Sequence, residues 1–319
     1  MDIVLKKTTE LSNSEIEQIC SVFRDVFPEH DKTVTQFKNE FTNTEYSFSY
    51  HILLVEKGIV VGAQTFIPFS YFIHNDKFLF ALSVDTMIKA DYRNFDNIYD
   101  LWSTGRKAIK NEGVVFLFGF PNENAYPVLI KGIGDRDIGE LQTYVLPYQI
   151  GTYFPKLKFL NFISQIFCKL LITFSYLSKS NKSHNFIIRK DRDNFNNYRY
   201  KWFDGDYNKV DKKNLSFVYK VIIYNGIRTA FLMDVYPMTK KNFDAAVRIM
   251  FSRSHSDFEV ALYVGYLHFN PLSMIKIPNK YVPKKFHFVG KILDKGILDA
   301  DLLFDINNWD INLSNYDLL

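Results

Sequence analysis

Val84-Asp85-Thr86-Met87-Ile88-Lys89-Ala90-Asp91-Tyr92-Arg93-Asn94-Phe95-Asp96-Asn97-Ile98-Tyr99 is the stretch that decides the fold. Its first five residues end an apolar run that starts at Phe78 and reads as a strand. From about residue 97 to 111 the apolar positions take helical spacing, and a short polar loop carrying Arg93 separates the two. The apolar run Val114–Phe120 follows. Strand, helix, strand predicts a crossover with a parallel strand pair, its helix starting at the crevice beyond the strand ends. The unpaired N–H groups and positive dipole end of such a helix start bind phosphate well.

Working outward, residues 2–7 read as a strand and 14–27 as a helix capped by Ser12 or Asn13 and stopped at Pro28. A second helix is expected over 33–42. His51–Glu56 and Ile59–Ile67 flank Lys57-Gly58, a hairpin signal. Pro121-Asn122 opens a short helix ending near Gly132. The fold class expected is α/β of the α+β kind, a mixed and mostly antiparallel sheet flanked by helices. The domains expected are 1–150, a helical linker over 151–182, and a second α+β unit over 183–319. That unit has strands near 185–190, 216–224, 228–236, 258–265 and 285–290 and a helix near 239–252.

The composition bounds the function. With 319 residues, 47% of them hydrophobic and 23% charged, the chain can bury a full core. Aromatic residues make up 17%, which core and sheet packing absorbs. A net charge of +4 is too mild to argue for nucleic acid. Residues 182–220 hold ten Lys/Arg against five Asp, a net +5, and 291–319 hold two Lys against six Asp, a net −4. These are two solvated faces that attract each other, or a basic tract that draws a phosphate-bearing ligand. Cys20 and Cys168 form no zinc or redox pattern, and Met1–Lys7 has no signal core, so a cytoplasmic location is expected. No P-loop, dinucleotide fingerprint, metal-ligand spacing or serine-hydrolase elbow occurs. Tyr198-Arg199-Tyr200-Lys201-Trp202 carries the stacking pattern of a base binder but reads better as a helix or strand face, so nucleic acid is not expected. Residues 157–179 are the one apolar stretch of near membrane-spanning length. Lys158, Asn161, Gln165, Lys169 and Thr173 form a polar stripe on it, and Lys169 near its centre argues against a span. Its wide apolar face is left to the protein's own core, or to a membrane surface or partner.

The 84–99 stretch resembles the acyl-CoA site of the GNAT acyltransferase superfamily. More narrowly, it is similar to acyltransferases of surface-polysaccharide gene clusters, on Asp85-Thr86, Tyr92-Arg93, Gly119-Phe120-Pro121-Asn122 and Ala125-Tyr126. The resemblance covers roughly the first 150 residues. It implies acetyl-CoA or another acyl-CoA as co-substrate, no metal, and a small amine as acceptor, such as an amino sugar or sugar nucleotide. The CoA-binding residues it implies are Thr86, Met87, Ile88, Arg93, Asn94, Phe95, Asp96, Asn97, Ile98 and Asn122. Arg93 matches the first position of the phosphate loop, while Asp96 and Ile98 stand where the family has glycine and glycine or alanine. An Asp there repels a pyrophosphate, and an Ile side chain crowds its approach.

Direct acyl transfer needs a group to polarise the thioester carbonyl and a group to take the ammonium proton. The resemblance gives the first role to a backbone N–H near Met87 or Ile88. Asp85, on the strand beside the proposed thioester, is the candidate base, with Glu56 and Glu123 behind it. Many members carry a general-acid Tyr seven residues past the Asn122 position, where this chain has Leu129; Tyr126 is the nearby candidate, though on another face of the helix, with packing between helix and sheet as its alternative. Tyr198, Tyr200, Trp202, Tyr263 and Tyr266 are candidates to stack on a sugar acceptor. Two rival readings stand beside the enzyme. One is a degenerate, non-catalytic GNAT fold that binds a ligand or partner. The other is a tRNA-dependent aminoacyl transferase contacting RNA through 182–220.

Overall fold

Side-chain caps fix where the first helices begin. Ser12 Oγ accepts from the Glu15 N–H while Glu15 accepts from the Ser12 N–H, and Thr33 and Gln36 repeat the arrangement. The computed structural model describes residues 1–28, 31–152, 155–201, 207–282 and 284–316. In chain order the strands are β1 (Asp2–Lys7), β2 (Tyr50–Glu56), β3 (Ile59–Ile73), β4 (Asp76–Ile88), β5 (Phe116–Gly119), β6 (Arg136–Leu146), β7 (Ile188–Lys190), β8 (Tyr207–Lys212), β9 (Leu215–Tyr224), β10 (Ile227–Tyr236), β11 (Val260–Gly265), β12 (Ile275–Lys276) and β13 (Phe286–Ile292). The helices are α1 (Asn13–Val26), α2 (Val34–Thr42), α3 (Phe95–Asn111), α4 (Ala125–Pro127), α5 (Asn161–Phe174), α6 (Arg192–Arg199), α7 (Lys240–Ser254) and α8 (Ala300–Leu303).

The chain forms two units, each drawn from three segments. Met1–Gly139, Ile187–Gly205 and Phe286–Trp309 make the first; Glu140–Phe186, Asp206–Lys285 and Asp310–Leu319 make the second. The second unit thus begins within β6, ahead of the helix at 161–174, and two later segments return to the first.

In the first unit the strands run β1-β2-β3-β4-β5-β13, with β7 against the far end of β3. All neighbours are antiparallel except β4 and β5. Lys57 (φ 51°) and Gly58 (φ 79°) make the β2–β3 turn, both in the left-handed region such a hairpin needs. α3 lies on the sheet so closely that a Cβ on Gly105 would stand 2.9 Å from Ile52. Trp309 is fully buried and packs against Tyr71, Phe80, Phe116, Phe118 and Phe288, so the returning segments complete an aromatic core.

The second unit has the strand order β6-β11-β10-β9-β8. Here β10 and β11 are the parallel pair, joined through α7, and Asn225-Gly226 turns the β9–β10 hairpin in the left-handed region. Hairpin, helix crossover and parallel pair therefore occur once in each unit. The core of the second unit gathers Tyr144, Phe217, Leu232, Phe243, Met250, Phe258 and Tyr263. The mixed, mostly antiparallel architecture is the one the sequence predicts.

Candidate active site at the splay of β4 and β5

β4 pairs with β5 only from Phe80/Phe116 to Ser83/Gly119, and then runs five residues further. On its other side β4 stays paired with β3, but the register shifts: Ala63 faces Met87 and Thr65 faces Val84. Asp85 and Thr86 are thus two residues opposite the single Gln64, a β-bulge, and Asp85 takes φ 48°. That left-handed conformation is uncommon for a residue other than Gly, Asn or Asp. Thr86 is exposed, while Met87 and Ile88 bury their side chains, so past the bulge β4 offers backbone rather than side chains toward the gap.

The Asp85 carboxylate is engaged. Lys32 Nζ lies 2.8 Å from it and 2.7 Å from Glu40, and packs over the rings of Phe23 and Phe41. Burial alone would pull the Lys32 ammonium down, but the two carboxylates outweigh it and hold it above its ordinary value.

Residues 89–94 join β4 to α3. Arg93 is exposed, yet its Nε and Nη2 both donate to the Ile88 carbonyl, at 3.1 and 2.9 Å, and tie the loop to the strand end. Asn94 caps α3, its Oδ1 accepting from the Asn97 N–H at 2.8 Å, and Asn97 Nδ2 donates to the Tyr92 carbonyl at 2.7 Å. The amides of Phe95 and Asp96 are the donors this helix start leaves outside its own ladder. Ile98, at the second glycine position of the family motif, packs into the core instead of standing over the loop. Asp96 is exposed in the first turn, and no residue from 86 to 112 has positive φ, so the loop closes without glycine. Phe95 is 52% exposed and lies across Gly132, where a Cβ would stand 2.7 Å from its ring.

At the end of β5, Asn122 Oδ1 accepts from the N–H groups of Asn124 and Ala125 and starts α4. The half-buried Tyr126 stacks on His287, ring centroids 3.9 Å apart and 19° between planes. His287 Nε2 lies 3.5 Å from Glu123. Leu129 is buried, its carbonyl accepting from Asp135 N–H. Behind it, Arg106 of α3 pairs with Asp135 and donates to the Ile133 carbonyl at 2.9 Å. Burial pushes the Asp135 carboxyl up to about 6, against the pull of Arg106 and Lys291. Glu56 lies 3.4 Å from the chain's amino group, on the β2–β3 hairpin.

The structure thus brings Arg93–Ile98, the residues expected to form a phosphate loop, together at one helix start and puts Asp85–Ile88 on the edge of the gap. Asn122 and Tyr126 lie at the end of β5. Sequence reasoning missed Lys32, Glu40 and His287, which reach the site from 53, 45 and 161 residues away from Asp85 or Tyr126 by pairing that no local pattern records. Of the sugar-stacking candidates, Tyr263 and Tyr200 are buried and cannot present a ring face to a ligand. Tyr198 and Tyr266 are partly exposed, and Trp202 lies outside the described residues.

The second unit repeats the splay and closes it. Pairing of β10 with β11 ends at Phe231/Leu262, and β10 then bulges between Leu232 and Asp234. The gap is taken by the chain itself: Asn312 bridges Gly265, donates to Asp234 at 3.0 Å, and is buried with Ser314 and Asn315. Only residues 237–239 link β10 to α7, half the length of the 89–94 loop, which leaves no room for a phosphate cradle there. Among the described residues no isolated bridge closes the gap between β4 and β5.

This fold is similar to that of solved GCN5-related N-acetyltransferases. The likeness extends over nearly the whole chain. A probable N-acyltransferase of unknown function from Enterococcus faecalis V583 superposes with a TM-score of 0.60 at 10% identity, over 92% of this chain and 73% of that one. A GCN5-related N-acetyltransferase from Anabaena variabilis gives 0.58 at 12% identity, over 91% and 73%. Eis1 from Mycobacterium abscessus gives 0.54 at 10% identity, over 92% and 74%. No family model and no curated protein sequence matches the chain. At these identities the comparison shows the fold alone.

Proposed function

We propose that the protein is an acyl-CoA-dependent N-acyltransferase, with acetyl-CoA as donor and a small amine such as an amino sugar or sugar nucleotide as acceptor. The observation that carries this is the open splay of β4 and β5 with the Arg93–Ile98 helix start at its mouth, set against the self-plugged splay of the second unit. The residues fit the co-substrate. The amides of Phe95 and Asp96 face the pyrophosphate, Arg93 holds the loop in shape, and Phe95 flanks the nucleotide. The thioester then lies in the gap, where a backbone N–H of Met87 or Ile88 polarises its carbonyl.

In this reading the acceptor amine attacks the thioester carbon and the C–S bond breaks. The amine's proton leaves to Asp85, directly or through water, and the departing thiolate takes a proton from Tyr126. Lys32, 2.8 Å away, holds the Asp85 carboxylate in place at the bulge. The acceptor class rests on the similarity to surface-polysaccharide acyltransferases carried by Asp85-Thr86 and Gly119–Asn122.

Calorimetric titration with acetyl-CoA tests the proposal: micromolar binding is expected, and no heat at millimolar ligand overturns it. One observation favours a second reading, a non-catalytic fold. Asp96 places a carboxylate where the phosphates would lie. If Asp96→Gly binds CoA and the natural chain does not, that reading holds.

A further inference from the structure

The helical stretch Lys158–Leu177 is docked with its more apolar face outward. The side it buries carries Ser164, Cys168 and Ser175, with Leu171 and Ile172 partly packed on the second unit's core. The opposite side sets Phe159, Phe162, Ile166, Leu170, Phe174 and Leu177 in steps of three and four residues, and all six are exposed, Phe159 at 74% and Phe162 at 70%. A helix docked for its own core's sake would turn the other way. Six such side chains leave on the order of 600 Å² of contiguous apolar surface, at the upper end of what a monomer shows.

Charge says what covers it. From residue 141 to 190 the chain has no Asp or Glu and seven Lys or Arg. Lys156, Lys158, Lys169, Lys179 and Lys182 are all exposed. Beside the helix lies an open groove of about 420 Å³ lined by Tyr176, Lys212, Arg248 and Arg253, with no acidic lining residue. Arg248 donates to the Ser175 carbonyl at 2.7 Å and packs over the Tyr176 ring, which fixes one cation against the helix. Apolar residues on one face, lysines along its margin and aromatic rings between them are the arrangement of a helix lying in the plane of an anionic bilayer. A second copy of the same face would bring these cations against each other. A span across the bilayer would place the buried Ser164, Cys168 and Ser175 side and exposed Lys169 in hydrocarbon.

We infer that residues 158–177 dock the protein on an anionic lipid surface, with the apolar face entering the headgroup boundary and the basic groove meeting lipid phosphates. Flotation with vesicles of phosphatidylcholine alone, or of three parts phosphatidylcholine to one part phosphatidylglycerol, tests this. The protein is expected to float with the mixed vesicles and not with phosphatidylcholine alone, and to be released by salt. Phe162→Ser with Phe167→Ser should lower the bound fraction at least about tenfold, and Lys158→Glu with Lys169→Glu should remove the lipid preference. All four side chains are exposed, and unchanged circular dichroism and melting of each variant show that the fold is kept. No flotation at low salt, or equal flotation of the Phe162/Phe167 variant, overturns the inference. So does a dimer in sedimentation that the same variant dissolves while the natural chain ignores vesicles, because the occupant is then a second copy.

Discussion

Lys32 and Asp85 meet at 2.8 Å, an ion pair that ties the start of α2 to the one non-glycine residue of β4 in the left-handed region. The pair anchors the bulge at the splay, and the same ammonium also neutralises Glu40, which is almost fully buried. Removing the cation leaves two carboxylates facing one another. Lys32→Met should therefore destabilise the protein by about 3–5 kcal/mol in urea titration, whereas Asp85→Asn, which leaves Lys32 paired with Glu40, should cost roughly 1 kcal/mol. Equal losses for the two variants would show that the triad does not act as a unit.

His51 sets an acid limit. It is fully buried between Thr8 and Thr65, whose hydroxyls lie 2.9 and 3.0 Å from its two ring nitrogens, and burial lowers its pKa to about 3. A pKa lower in the folded state means the unfolded chain binds the extra proton. This contribution is complete above the unfolded value, near 6.5, and is lost as pH falls toward 3, at up to about 1.4 kcal/mol per pH unit. Melting temperature should drop more steeply below about pH 6 for the natural chain than for His51→Gln, in which the term is missing. Parallel melting profiles would assign the acid sensitivity elsewhere.

How much of this was written locally is clear from particular residues. Ser12 with Glu15, Thr33 with Gln36, Lys57-Gly58 and the Val84–Tyr99 stretch each carry their structure within a few positions, and each forms as the local chemistry directs. β6 carried no such signal: its first half is polar and interrupted by Gly139 at φ 150°, so no period-2 pattern spans it. The return of 286–309 to the first unit rests on aromatic packing of Trp309 and Phe288, and that of the segment starting at Ile187 on β7 pairing with β3 and Phe195 against Phe69, all long-range preferences. Ile98 shows the same limit, because a substituted glycine reads as a blocked loop until the helix turns its side chain into the core.

Two glycines separate packing from function. A Cβ on Gly290 would stand 2.9 Å from the Leu117 carbonyl in the buried sheet, so Gly290→Ala should cost about 2 kcal/mol. At Gly132 the obstacle is the half-exposed Phe95 ring, which can swing away. Gly132→Ala should cost under about 1 kcal/mol and yet weaken acetyl-CoA binding by displacing Phe95 from the helix start. An unchanged dissociation constant would remove Phe95 from the nucleotide site.

Arg93 donates from Nε and Nη2 to the Ile88 carbonyl, so in the proposed site it acts on the co-substrate through loop shape. Arg93→Ala should weaken acetyl-CoA binding several-fold, and Arg93→Lys, which keeps the charge but cannot make the two-pronged bond to the Ile88 carbonyl, should do nearly the same. If the lysine variant binds normally, the contribution is charge and the loop does not need the bond.

In the proposed reaction Tyr126 gives its proton to the leaving thiolate; the His287 ring stacks on it, and Glu123 lies beside His287. Removing only the phenol hydroxyl keeps the stack and the packing. Tyr126→Phe should therefore lower kcat by about a hundredfold with little change in KM, the mark of a group used after binding. His287→Phe keeps an aromatic partner for Tyr126 but loses the nitrogen near Glu123, so it should lower kcat by a smaller factor, about tenfold. The two effects should not add in the double variant, because both act on one proton. A Tyr126→Phe enzyme with unaltered kcat would move the acid elsewhere on the β5 end and leave Tyr126 as packing between α4 and β13.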